Sequence, residues 1–214
     1  AISHGVVEAS SHAKDTPFNF THGLLVDAVR RSINPRRLAR IHEKVAQALE
    51  TLLPDQAAEI AIHYDRAGIP ARAYGHAITA GRHSMASYSH DEARRFFEIA
   101  ERAAGSPEDR ARALHGLAEL AEIEGRHALT EELCDRALAS LEPGRDDRLV
   151  LRLKRMRERT RTSRGQASRE TIAVCKELLD KARELGDASE AAALLSMIAM
   201  AHERLNEWDA SEAA

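Results

Sequence analysis

"AITAGRHSMASYSHDEARRFFEIA" at residues 77–100 and "LHGLAELAEIEGRHALTEELCDRA" at residues 114–137 are one pattern written twice. Ala77, Ala80, Gly81, Ser84, Ala93, Phe97 and Ala100 correspond to Leu114, Leu117, Ala118, Ala121, Thr130, Cys134 and Ala137, each 37 residues further on. In both copies apolar and small residues recur at helical spacing, stop at a polar turn and resume, so each copy reads as an antiparallel helix pair. The frame returns at Leu195, Ile198, Ala199 and His202 and ends at Ser211, 81 residues beyond the second copy. That gap has room for one more pair, which the pattern places as helices over Asp147 to Thr162 and Ser168 to Leu185. Periods of this length describe a solenoid, in which stacked pairs bury what a lone pair cannot.

Working back toward the start, "QAAEIAIHYDRAG" predicts a helix ending at Gly68, and Pro70 opens the next. Leu38, Ile41, Val45, Ala48, Leu49 and Leu52 give a further helix closed by Pro54, with Asn34 and Pro35 as its cap and first residue. Before that lie two β-like runs, Val6 to Ala9 and Phe18 to Thr21, separated by turn-forming residues, a hairpin signal. The sequence therefore predicts an all-α chain, a helix-pair superhelix with a short N-terminal hairpin. Its expected divisions are residues 1–36, a helical linker over 37–70, and repeats over 71–214.

Composition supports helices and narrows the partners. Of the 214 residues only 4% are aromatic, which favours close helix packing over a sheet-rich fold. Thirty-one basic and thirty-four acidic residues leave a net charge of −3, so nothing global draws the chain to nucleic acid or an anionic membrane. No apolar run approaches the roughly 20 residues that span a bilayer, and no signal-peptide pattern opens the chain. Cys134 and Cys175 fall on apolar helix faces and read as buried thiols of a reducing compartment, so a cytoplasmic location is expected. The absence of an initial methionine and the stop after "NEWDASEAA" suggest a piece of a longer protein.

The spacing of large and small apolar positions resembles the tetratricopeptide repeat (TPR). Ala93 and Ala100 flank Phe97, and "LNEWDA" at 205–210 opens a further helix; Thr130 and Ser211 stand where alanine is usual. A longer string is more specific. "FNFTHGLLVDAV" (18–29), "RRLARIHEKVAQALE" (36–50) and "AAEIAIHYDRAGIPARAYGHAITAGRHSMASYSHDEA" (57–93) together resemble the junction of STAND-class signalling ATPases, especially large LuxR-type bacterial regulators. There a winged-helix module closes the nucleotide-binding region and a TPR-like sensor array follows. The basic pair with its histidine, here Arg36, Arg37 and His42, recurs in that family with the H-Y-x-x-A-G turn, here His63 to Gly68.

The resemblance implies that residues 1–36 are the end of a winged-helix module and that His22 senses nucleotide phosphates. A protonatable donor suits that task through a charge-assisted hydrogen bond. Gly23 stands where the family carries an aspartate. No G-x-x-x-x-G-K-[ST] occurs in the chain, so no cofactor is expected within it; ATP or ADP would be bound by the parent protein, upstream of Ala1.

Other candidates come from the residues themselves. The helix "RLVLRLKRMRERTRTSRG" lies in a stretch, 145–169, with ten Lys or Arg against three Asp or Glu. Such density can grip phosphates, yet aromatics for base stacking are missing, and Leu149, Leu153 and Met156 supply an ordinary core face. It reads as a solvated or partner-docking surface. His76, His83 and His90 recur every seven residues, about 10 Å apart along a helix, too far to share a metal. No nucleophile, base and acid fall in a catalytic pattern, so an enzyme is not expected. What remains is the groove face formed by the first helix of each pair. Tyr74, Arg82, His115, Glu119, Arg152 and His202 are its candidate partner-binding residues by helical position. The expected function is the sensor and interaction array of a STAND-like transcriptional regulator, taking a protein or small-molecule effector, with self-association open. The alternative is a stand-alone TPR-like scaffold that binds peptides.

Overall fold

The computed structural model describes residues 7–9, 18–20, 28, 31–142, 144, 146–165 and 169–205. Two three-residue strands, β1 (Val7–Ala9) and β2 (Phe18–Phe20), pair antiparallel with Val7 opposite Phe20 and Ala9 opposite Phe18. A ladder this short has no core of its own. His22 and most of the expected winged-helix tail lie outside the described residues, as do "NEWDA" and Ser211.

Helices carry the fold. In chain order they are α1 (Pro35–Leu52), α2 (Ala57–Ala67), α3 (Pro70–Ala86), α4 (His90–Ala103), α5 (Pro107–Ile123), α6 (His127–Ser140), α7 (Asp147–Ser163), α8 (Arg169–Glu184) and α9 (Ala188–Arg204). Their starts follow from local chemistry. Asn34 accepts the Arg36 N–H at 2.9 Å with Pro35 at the first position, and Ser106 accepts the Asp109 N–H at 3.0 Å ahead of Pro107. Asp146 and Asp187 cap α7 and α9 in the same way. Gly68, left-handed at φ 71°, ends α2.

Each helix packs on the next, and α3–α5, α5–α7 and α7–α9 also touch, as does α2–α4. The chain is thus a succession of helix pairs, α7 and α8 filling the gap between the two 37-residue copies and the returning frame. Its core is a series of clusters along the stack. One joins Phe97 of α4, Leu114 and Leu117 of α5, Leu133 and Cys134 of α6, and Leu149, Leu153 and Met156 of α7. Another joins Leu151 of α7 to Cys175, Leu178, Leu179, Leu194 and Met197. Burial pushes the Cys134 thiol up to about 12 and the Cys175 thiol up to about 11, and both are free. A thiol so held is a small apolar side chain. None of the described helices is long and apolar enough to cross a membrane.

Candidate interaction surface

The first helices of successive pairs, α3, α5, α7 and α9, lie side by side, and their charged residues meet across the repeats. Arg82 of α3 donates to Glu119 of α5 at 2.6 Å. On α7, positions 148, 152, 155 and 159 fall on one face, since steps of four, three and four return to the same side of a 3.6-residue helix. All four are arginines. Arg159 grips Glu122 of α5 through both Nε and Nη2. Arg155 donates Nε to Glu190 of α9 at 2.5 Å, and Arg152 lies 3.6 Å from the same carboxylate and 3.9 Å from Asp187. Arg148 donates to the Leu185 carbonyl at 3.2 Å. Glu190 is buried, so Arg155, itself largely covered, is the partner that makes its burial tolerable.

His115 sits inside this ladder, buried, with Nδ1 3.7 Å from Glu119. Burial holds its pKa below the ordinary histidine value; Glu119 opposes that, and the charges of Arg82, Arg152 and Arg155 reinforce it. The imidazole is therefore neutral, a spacer between arginines and no donor of charge. Arg82, His115, Glu119 and Arg152, four of the six groove candidates, converge here. Tyr74 does not join them. Its hydroxyl donates to the Asp109 carbonyl at 3.1 Å, and burial, with Asp109 adding to it, pushes the phenol up to about 12. It locks α3 to the start of α5. His202 lies half-buried in the last turn of α9, far along that helix from the others.

The arginine-rich helix is accordingly bound up within the molecule on both flanks. Opposite the 148/152/155/159 stripe, Arg157 donates to Asp135, and Arg161 donates to Glu131 and to Glu158. Arg164, just past the helix, also reaches Glu131. The density that reads as a docking face in sequence holds α7 to its neighbours. Sequence reasoning missed Arg155, Arg159, Glu122 and Glu190. The signal was available: opposite charges one repeat apart, as in Arg82 with Glu119 and Glu122 with Arg159, both 37 residues.

A second polar cluster ties the first three helices. Glu50 of α1 accepts from the Tyr64 hydroxyl at 2.6 Å, Arg72 at 2.5 Å and His76 at 2.8 Å. Burial works against its charge, but these donors outweigh it and hold the carboxyl below its ordinary range. His42 and His63, quoted above in separate motifs, meet across α1 and α2 with their Nδ1 atoms 3.0 Å apart. His76 is thus committed to Glu50, while His83 is exposed on α3 and His90 starts α4. Among the described residues, no three His, Cys, Asp or Glu side chains gather as metal ligands do.

No protein-family model matches the chain, and no curated protein matches it. Solved structures do. A Podosopora anserina protein described as a kinesin light chain with nearly identical TPR-like repeats is similar in fold. A point-substituted form of it superposes with a TM-score of 0.50 at 17% identity, over 83% of this chain and 91% of that one. The unsubstituted form gives 0.49 at 16% identity, over 84% and 92%. The fold of this chain is a TPR-like helical repeat array.

Proposed function

We propose that this array is the recognition part of a regulatory protein, binding a protein or small-molecule effector along the α3–α5–α7–α9 face. The observation that carries the reading is the ladder itself. Its arginines and carboxylates are positioned by pairing across repeats, yet Arg82 and Arg152 each keep about half of their side chain in solvent, at 48% and 47%. Fixed, half-exposed guanidinium groups recognise carboxylates and polar backbone at little ordering cost.

The larger setting we propose is a STAND-like ATPase, a transcriptional regulator of the large LuxR type, with ATP or ADP held upstream of Ala1 and His22 as the phosphate contact. Support comes from the string of motifs over residues 18–93, two pieces of which, His42 and His63, lie against one another. Effector binding would favour an open arrangement and release bound ADP, a population shift. A stand-alone scaffold uses the same face without the nucleotide.

Two measurements test this. Peptides selected from a display library on the chain are expected to lose binding when Arg82, Glu119 and Arg152 are charge-reversed; binders indifferent to those changes contradict the groove. In the longer protein, His22→Ala is expected to shorten ADP retention and raise basal activity. Unchanged retention removes the sensor role and leaves the scaffold reading.

A further inference from the structure

Several helices of this chain close with the same turn. At Gly68, Gly125 and Gly186 the N–H of a left-handed residue bonds the carbonyl three residues back, and the next N–H bonds the carbonyl five back. Tyr88 closes α3 identically: its N–H reaches Met85 at 3.1 Å, and the Ser89 N–H reaches Ser84 at 2.8 Å. Tyr88 lies one 37-residue offset before Gly125, yet it holds φ at 59°, where a Cβ crowds the following carbonyl. Packing does not compensate. The ring is 85% exposed, and its hydroxyl has no partner among the described residues. An aromatic held in strain at a loop tip, where the sister turn uses glycine, is the signature of a binding anchor.

The surroundings specify what it fits. Asp91 and Glu92, in the first turn of α4, are exposed and make no ion pair among the described residues. At the opposite end of α4, the α4–α5 loop forms a cleft whose lining includes Ala104, Gly105 and Pro107, with Arg102 and Arg110 at its rim. These arginines are 60% and 55% exposed and only loosely held, Arg102 by Asp65 at 3.4 Å and Arg110 by Glu101 at 3.5 Å. Glu101 is itself taken by Arg136 at 2.7 Å. A phenol ring laid on Pro107 beneath a guanidinium would be buried, and the two free carboxylates would face the two loosely held arginines.

We propose that the Tyr88 tip of one copy of this chain docks in the α4–α5 cleft of a second copy. Tip and cleft are different surfaces at opposite ends of a 14-residue helix, about 21 Å apart. The contact is therefore head to tail, and each added copy leaves one tip and one cleft free.

Sedimentation of the 214-residue chain over a wide concentration range tests this. The weight-average mass is expected to rise without a plateau and to fall back at high salt. Tyr88→Gly is expected to abolish association while raising Tm, so loss of folding cannot explain the loss of contact. Arg110→Glu should abolish it as well. An equimolar mixture of these two variants should stop at a one-to-one dimer, because one supplies only a cleft and the other only a tip. A wild-type chain that stays monomeric, or that forms a closed dimer, overturns the proposal, as does Tyr88→Gly associating like the wild type.

Discussion

Phe97 is pressed between two glycines, and the contact shows how tightly single residues are specified. A Cβ at Gly81 would come within 2.7 Å of the ring, and one at Gly116 within 2.5 Å. Helical glycine ordinarily costs stability, so here it is retained for the approach of the two flanking helices. Gly116→Ala is expected to destabilise by about 1–3 kcal/mol from overpacking. Combined with Phe97→Leu it should cost much less than the sum, which a denaturant double-mutant cycle reads directly. The opposite holds at Tyr88, where glycine relieves the left-handed backbone at φ 59° and should stabilise by about 1 kcal/mol.

His115 couples stability to pH. Its pKa is lowered in the folded chain, chiefly by burial, so through the range just below 6.5 the unfolded chain binds more protons than the folded one. Its contribution to stability is complete above that range and declines as the pH falls. His63 is shifted the same way, again first by burial. Tm is expected to drop between about pH 7 and pH 5, and His115→Leu should remove part of that slope while leaving the acid limb below it. That limb belongs to Glu50 and Glu124, whose pKa values are lowered, Glu124 chiefly by its Arg94 hydrogen bond.

At the scale of the element, much was legible and for identifiable reasons. Gly68, Pro70 and Asn34 with Pro35 mark helix ends by local backbone chemistry, and the structure places those ends at the same residues. The apolar frame around Phe97, Leu114 and Cys134 was readable because burial enforces helical spacing. Side-chain pairing across repeats was legible only where it keeps the 37-residue offset, as for Arg82 with Glu119. Arg155 and Glu190 are 35 residues apart although α7 and α9 start 41 apart, so the pair joins the middle of one helix to the first turn of the other and depends on the packed geometry. The contact of Tyr74 was hidden for a related reason: helical position shows the side of α3 it leaves from but not that the Asp109 carbonyl accepts its hydroxyl there. Arg155→Met is expected to cost about 2–4 kcal/mol, since it leaves the buried Glu190 carboxylate only Arg152, 3.6 Å away. Adding Glu190→Gln should recover a good part of that, as thermal or urea unfolding would show.

For the whole molecule, a stack of nearest neighbours explains both stability and the form of its functional surface. Each cluster of core residues joins adjacent helices, and arginines reach one repeat ahead or behind, so the first helices are held as a single ribbed face. Such an arrangement suits recognition because the side chains are set before a partner arrives. An effector read on that face would cover it. Amide hydrogen exchange of the chain, with and without a display-selected peptide, shows whether it does. Added protection is expected on α3, α5 and α7 around Arg82, Glu119 and Arg152; protection confined to α4, α6 and α8 would place the partner elsewhere and refute effector binding on the ladder.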